Sequence, residues 1–274
     1  MNIGLWNELK IDRIKEIGAY LTDGTEDVLL PIKQLPKASK KGDTLNVFIY
    51  LDSKDRPIAT VNEPLITLGK LARLTVKSVA DFGAFVDFGL ERDLFLPFKE
   101  QTTKVEAGKE YLFKLYLDKT GRLALTMHLY DDMLPNDKYD KGATVNGIIY
   151  DYKKGFGAFV AIDDKYAGLI HESELFSKVY VGDNVTCRVI KRREDGKTDL
   201  AIRKEIHEQM NEDADMVFSV IESYNGHLPF NDKADKDLIK KEFGLSKNAF
   251  KRAVGHLLKE GKIIIGEDCI DIVK

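Results

Sequence analysis

The stretch FGAFV occurs twice, at residues 82–86 and 156–160, and each copy sets two phenylalanines three positions apart. An aromatic pair on a protein surface offers π-faces on which nucleobases stack, worth ~1–3 kcal/mol per base with little dependence on base identity. In a strand, side chains alternate faces, so Ala84 and Val86 share one side while Phe85 and Asp87 share the other. Asp87 requires water, which places Phe85 outside with it. A bulge at Gly83 would bring Phe82 to the same side, and the same logic applies to Phe156, Gly157 and Phe159. Strand geometry alone equally permits the rings to plug one end of a barrel.

The other chemistry-bearing residues form no comparable pattern. His128, His171, His207, His227 and His256 are scattered, with no HxH, HExxH or carboxylate cluster suited to a metal. His128 falls in a strand-like segment and His207 and His256 at or within helices, where surface or capping roles are expected. Cys187 and Cys269 lack ligand spacing and point to a reducing compartment. There is no GxxxxGK[ST] phosphate loop and no GxSxG elbow. The expectation is a binding protein and not an enzyme, with no cofactor, no metal and no small-molecule substrate.

Bulk properties narrow the class. The 274 residues are 43% hydrophobic and 32% charged, which describes a soluble globular chain of one to three domains. A net charge of −3 gives no whole-chain case for nucleic acid or an acidic membrane, so any such case must be local. The start, MNIGLWNELK, lacks the basic and apolar regions of a signal peptide, and aliphatic runs such as Ile263-Ile264-Ile265 are short. A cytoplasmic protein without a membrane partner is expected.

The elements that must hold the phenylalanines recur with them. After Gly83 come Leu94-Phe95-Leu96-Pro97, then Gly108-Lys109 opening YLFKLYLD, a turn at Gly121, and LALTMHL. After Gly157 come Gly168-Leu169-Ile170-His171, then Gly182-Asp183 opening NVTCRVIK, a turn at Gly196, and DLAIRK. Both intervals, 83 to 108 and 157 to 182, are 25 residues. A degenerate third copy begins with IGAYLTDG, where Gly18 precedes Gly42 by 24 residues. Units of 65 to 75 residues with five short strands fit the OB-fold, a small Greek-key barrel; immunoglobulin-like sandwiches need about 100 residues each. The expected fold is mainly β: three tandem five-stranded OB barrels over 1–64, 65–132 and 139–207, joined by linkers around Asn62-Glu63-Pro64 and LYDDMLPNDKYD that are long enough to hinge.

These repeats resemble the RNA-binding repeat of the largest ribosomal small-subunit protein, the S-one domain. That resemblance implies an RNA face built from two second-strand aromatics, a third-strand His, and an Asp and a basic residue around the last turn. Repeat two supplies Phe82, Phe85, Asp118 and Arg122, with Pro97 in place of His. Repeat three supplies Phe156, Phe159, His171 and Lys197, with Arg193 in place of Asp. Repeat one keeps Tyr20, Asp52 and Arg56, with Ile17 for the first aromatic and Pro31 for His. Local charge follows the same order: Lys/Arg against Asp/Glu is 9 to 10 over 1–67, 10 to 8 over 68–130 and 12 to 11 over 139–207. The run Lys191-Arg192-Arg193 reads as a solvated strand end unless it borders the aromatic face.

From residue 211 the hydrophobic period changes from two to 3.6. Met216, Val217, Val220, Ile221 and Tyr224 mark one helix, ADKDLIKKEF a second stopped by Gly244, and a third is capped by Ser246 with Phe250, Val254, Leu257 and Leu258 as its buried stripe. KIIIGEDCIDIVK then reads as a hairpin, which completes a winged helix-turn-helix over 211–274. Lys247, Lys251 and Arg252 lie on its exposed side as candidate nucleic-acid contacts, although the segment holds 10 Lys/Arg against 12 Asp/Glu. This order of parts, with Leu30-Pro31, Leu96-Pro97 and LSKNAFKRAVGHLLKEGKI, resembles the conserved virulence factor B, or YitL-like, family of Gram-positive bacteria. The resemblance implies a single-stranded RNA-binding regulator that affects virulence-factor expression, without known catalysis. The alternatives are a DNA-binding transcription regulator acting through the winged helix, or a ribosome-associated factor.

Overall fold

A computed structural model describes residues 1–175, 178–202 and 206–273, with the side chains of 206–212 outside the description. The side chain of His207 therefore lies outside the described residues. The chain divides into two compact units, Met1–Ile202 and Arg203–Lys274.

The first unit is three closed barrels of one topology. Barrel one contains β1 (Trp6–Lys15), β2 (Gly18–Thr22), β3 (Asp27–Pro31), β4 (Thr44–Leu51) and β5 (Pro57–Thr60). Barrel two contains β6 (Leu71–Ala80), β7 (Gly83–Val86), β8 (Leu94–Pro97), β9 (Glu110–Leu117) and β10 (Leu123–Thr126). Barrel three contains β11 (Thr144–Lys153), β12 (Gly157–Ile162), β13 (Tyr166–His171), β14 (Asn184–Arg192) and β15 (Thr198–Ile202). In each, the third and fifth strands pair in parallel and the first strand pairs with both second and fourth, which closes the sheet and removes its edges.

Period-two patterning explains the strands. In β14, Cys187 and Val189 are buried while Thr186, Arg188 and Lys191 face water. The turns that open the fourth strands need a positive φ, and Gly42, Gly108 and Gly182 supply it at 92°, 82° and 98°.

The linkers are not free hinges, because each is threaded into an interface. Phe48 and Tyr50 of barrel one belong to the buried cluster of barrel two, and Leu68 donates its amide to the Gly4 carbonyl at 2.9 Å. Between barrels two and three, Leu129 and Met133 pack with Leu112, Ile148, Tyr150, Ala161 and Ala167. Leu134 exchanges backbone hydrogen bonds with Lys165 and Ala167, and the buried Asn136 donates to the Thr198 hydroxyl at 3.0 Å. Arg73 of barrel two reaches Asp164 of barrel three at 2.7 Å. Ordering this many backbone groups on both sides of a linker fixes the barrels relative to one another.

The second unit is a winged helix: α1 (Ile206–Ser223), α2 (Lys236–Phe243) and α3 (Lys247–Lys259) with a sheet of β16 (His227–Leu228), β17 (Ile263–Ile265) and β18 (Ile270–Ile272) in the order β16-β18-β17. The Asp235 carboxylate accepts from the Asp237 amide and the Ser246 hydroxyl from the Ala249 amide, so both later helices begin where their caps stand. Two details differ from the sequence reading. Leu258 is 46% exposed and Ala253 is buried instead, because 250, 253, 254 and 257 complete the i, i+3, i+4, i+7 stripe. The short strand β16 adds a third member to the expected hairpin. Among the described residues, no helix is long and apolar enough to cross a membrane.

Candidate nucleic-acid interface

Strand register places one residue from each strand in a row across the outer face of every barrel. In barrel three the row is Asp151, Phe159, Leu169, Asp199 and Lys191. In barrel two it is Ser78, Phe85, Phe95, Ala124 and Tyr116, and in barrel one Arg13, Tyr20, Leu29, Ile58 and Tyr50. Beside each row the second strand's glycine faces the third strand's last residue: Gly157 with His171, Gly83 with Pro97, Gly18 with Pro31. The prolines thus occupy the place of the imidazole.

Ala84 and Val86 are fully buried, whereas Phe82 is 62% exposed and Phe156 64%. The rings do not plug the barrels. The bulge is not at Gly83, however. It falls on the partner strand, between Val76 and Ser78 in barrel two and between Ile149 and Asp151 in barrel three. Gly83 serves close approach: a Cβ there would stand 2.5 Å from the Leu96 carbonyl oxygen and 2.6 Å from the Phe95 ring.

Barrel two carries a three-ring platform. Phe82, Phe85 and Phe95 have centroid separations of 5.6 to 6.0 Å, the range in which aromatic rings attract. Phe95 had no sequence signal beyond its place in an apolar strand. The platform lines a cavity of about 330 Å³ walled by Tyr50, Leu51 and Asp55 of barrel one and by Arg92, Asp118 and Arg122. The Asp55 carboxylate accepts from Arg122 at 2.7 Å and Arg92 at 3.3 Å, and Arg92 also reaches the Asp52 carbonyl. Asp118 holds its own turn, accepting from the Thr120 hydroxyl and the Thr120 and Arg122 amides; the Thr120 hydroxyl bond is the main reason its carboxyl sits below the usual range.

In barrel three Arg193 takes the turn position of Asp118, with the same backbone hydrogen bonds to Lys197 and Gly196. Its side chain leaves the turn and reaches Asp199 at 2.8 Å and the His171 Nε2 at 3.1 Å. His171 Nε2 lies 3.1 Å from Asp199. Burial would raise the Asp199 carboxyl, but the hydrogen bonds from Arg193 and His171 outweigh it and hold the group below its ordinary value. So the missing turn carboxylate is replaced from β15, and Arg193 of the basic run borders the aromatic face while Lys191 and Arg192 stay exposed.

Tyr130, from the segment read as a linker, completes this platform. Its ring meets Phe159 edge-on at 5.8 Å. Lys197 stands 4.4 Å over the same ring and donates to its hydroxyl at 2.6 Å, which raises the Lys197 pKa. Lys153 lies 5.3 Å over Phe159. An aromatic surface with cations on its edge can stack a base and hold a phosphate together.

In barrel one the corresponding groups are engaged within the barrel. The Arg13 guanidinium covers Tyr20 at 4.2 Å and is itself held by Asp12 and Asp27, each at 2.7 Å. Arg56 is spent in a two-pronged bond to Asp52, whose carboxyl falls to about 2, the Arg56 hydrogen bond contributing most. In the winged helix, Lys247 donates to the Lys233 carbonyl and Lys251 faces Asp232 at 3.9 Å, leaving Arg252 exposed.

Three like barrels with graded aromatic faces, followed by a winged helix, define a tandem OB-fold protein of the nucleic-acid-binding class. Comparison with known families agrees: the S1 domain matches residues 3–62 and 68–128, the second domain of the virulence regulatory factor CvfB matches 134–204, and the CvfB-like winged helix domain matches 215–272. The chain belongs to the conserved virulence factor B (YitL) family. It is 33% identical to YitL of Bacillus subtilis (strain 168) over 93% of this chain and 88% of that protein. It is 30% identical to conserved virulence factor B of Staphylococcus epidermidis (strain ATCC 35984 / DSM 28319 / BCRC 17069 / CCUG 31568 / BM 3577 / RP62A), over 93% of this chain and 90% of that one. The crystal structure of a multidomain protein with nucleic acid binding domains from Streptococcus pneumoniae TIGR4 superposes with a TM-score of 0.55 at 25% identity, covering 99% of this chain and 98% of that one.

Proposed function

We propose that this protein binds single-stranded RNA through barrels two and three and acts in the cytoplasm as a post-transcriptional regulator. The observation that carries the reading is the pairing of an exposed aromatic platform with edge cations in two adjacent barrels: Phe82, Phe85 and Phe95 with Arg92 and Arg122, and Phe156, Phe159 and Tyr130 with Lys153 and Lys197. Unstacked bases of a single strand fit such platforms, whereas a paired duplex hides them. Barrel one acts as a wall of the barrel-two cavity. The regulatory role rests on membership of a family whose relatives are called conserved virulence factor B. Duplex DNA reading through α3 has less behind it, since Lys247 and Lys251 already face acceptors of their own domain.

The test is fluorescence anisotropy with a labelled pyrimidine-rich RNA. Replacing Phe156, Phe159 and His171 together by Ala weakens binding by about tenfold or more, the loss of one to two stacked bases. Unchanged affinity would exclude barrel three, and equal affinity for duplex DNA that is lost in Arg252→Ala would move the function to the winged helix.

A further inference from the structure

The sequence reading expects no metal, because its histidines and cysteines are far apart along the chain. In the winged-helix unit the fold brings three donors together: His227 of β16, Cys269 just before β18 and Asp271 within β18, with their ligand atoms all within 4.8 Å of one another. Register explains the convergence. His227 pairs directly with Asp271 across the sheet, and Cys269 is two residues earlier on the same side. The His227 Nδ1 lies 2.6 Å from one Asp271 oxygen and the Cys269 thiol donates to the other at 3.4 Å. Gly266 leaves room for the sulfur, since a Cβ there would be 2.6 Å from Sγ.

The thiol hydrogen-bonds the Asp271 carboxylate and not the imidazole, and a carboxylate is too weak a base to hold a thiol ionised. One nitrogen, one sulfur and one oxygen are instead the donor set of a tetrahedral zinc ion, whose bonds of ~2.0–2.3 Å put ligands about 3.3–3.8 Å apart. The His227 side chain is 60% exposed, so a fourth position faces water.

We propose that His227, Cys269 and Asp271 form a binding site for a zinc-class divalent cation on the wing sheet. Coordination releases the thiol proton to solvent, while the neutral imidazole binds through Nδ1 with its proton on Nε2, and the cation ties β16 to the tip of the wing. The assignment is independent of RNA binding.

Cobalt(II) alone, titrated into the full-length protein under anaerobic conditions, is the probe. A thiolate-to-cobalt charge-transfer band is expected to saturate at one equivalent, to persist in Cys187→Ser, and to vanish in Cys269→Ser. Zinc should displace it and raise the unfolding temperature of the wild type. His227→Ala and Asp271→Asn should lose the one-equivalent saturation, with circular dichroism in chelator verifying that each variant is folded. Absence of the band, its survival in Cys269→Ser, or an equal zinc-dependent shift in Cys269→Ser would overturn the site.

Discussion

Asp55 offers the sharpest handle on the barrel-two platform, because it lies on the neighbouring barrel and holds both arginines that the proposed function assigns to phosphate. Arg122 and Asp55 are 2.7 Å apart with side chains 58% and 35% exposed. A pair this open to solvent is worth ~0.2–1 kcal/mol. RNA that uses Arg122 must first give up that energy, so Asp55→Ala removes a competitor. The expected gain is roughly 1.4- to 5-fold in affinity, the same energy converted at about 1.4 kcal/mol per decade. If the freed guanidinium then meets a phosphate, the slope of log affinity against log salt steepens by about 0.7. Anisotropy titrations with the same RNA at several salt concentrations read both quantities. Tighter binding with a steeper slope supports competition. Weaker binding would refute it, since the carboxylate would then be holding the arginines in their working positions.

Two further outcomes are expected in barrel three. Gly157 has φ of +124° and a Cβ would stand 2.0 Å from the Ile170 carbonyl oxygen, so Gly157→Ala should cost about 3 kcal/mol or more and expose β12 and β13 to hydrogen exchange. Gly155→Ala, at φ of +85° in open space, should cost only ~1 kcal/mol. The Asp199 clamp predicts an acid-sensitive stability: a carboxyl lowered in the folded state contributes fully above the ordinary value of ~3.9 and loses that contribution as pH falls through the folded value. The stability difference between wild type and Asp199→Asn should therefore shrink below about pH 4, and a difference that stays constant with pH would rule the clamp out.

Much of the face was legible from strand alternation. Asp87 demanded water and so located Phe85, and the repeat extended that placement to Phe159 and Tyr20, all three of which occupy the same register position. The prolines at 31 and 97 were also placed correctly, since backbone pairing of the third strand depends on spacing that the repeats preserve. What sequence could not show were groups delivered by closure and docking. Asp199 reaches His171 only because β15 lies parallel to β13; the repeat pattern points for a carboxylate to the turn, where Arg193 stands. Tyr130 sat in a segment whose polar, turn-rich composition looks like a linker, yet its neighbours Leu129 and Met133 are buried between barrels. Asp55 joined the site only when barrel one packed against barrel two.

These late arrivals suggest how three sibling barrels come to differ. Each platform cation already has a partner inside the protein, which RNA bound as proposed would have to displace. In barrel one the aromatic itself is covered by Arg13, which two aspartates hold in place. In barrel two the rings are open but Arg122 is bound to a carboxylate. In barrel three Lys197 rests on a tyrosine ring and hydroxyl, with the Asp195 carboxylate farther off at 3.6 Å. A phosphate displaces a neutral hydroxyl more easily than an aspartate, because only the second exchange gives up a charge pair. Binding should accordingly strengthen from barrel one to barrel three, with the difference set by the internal competitor more than by the aromatic rings.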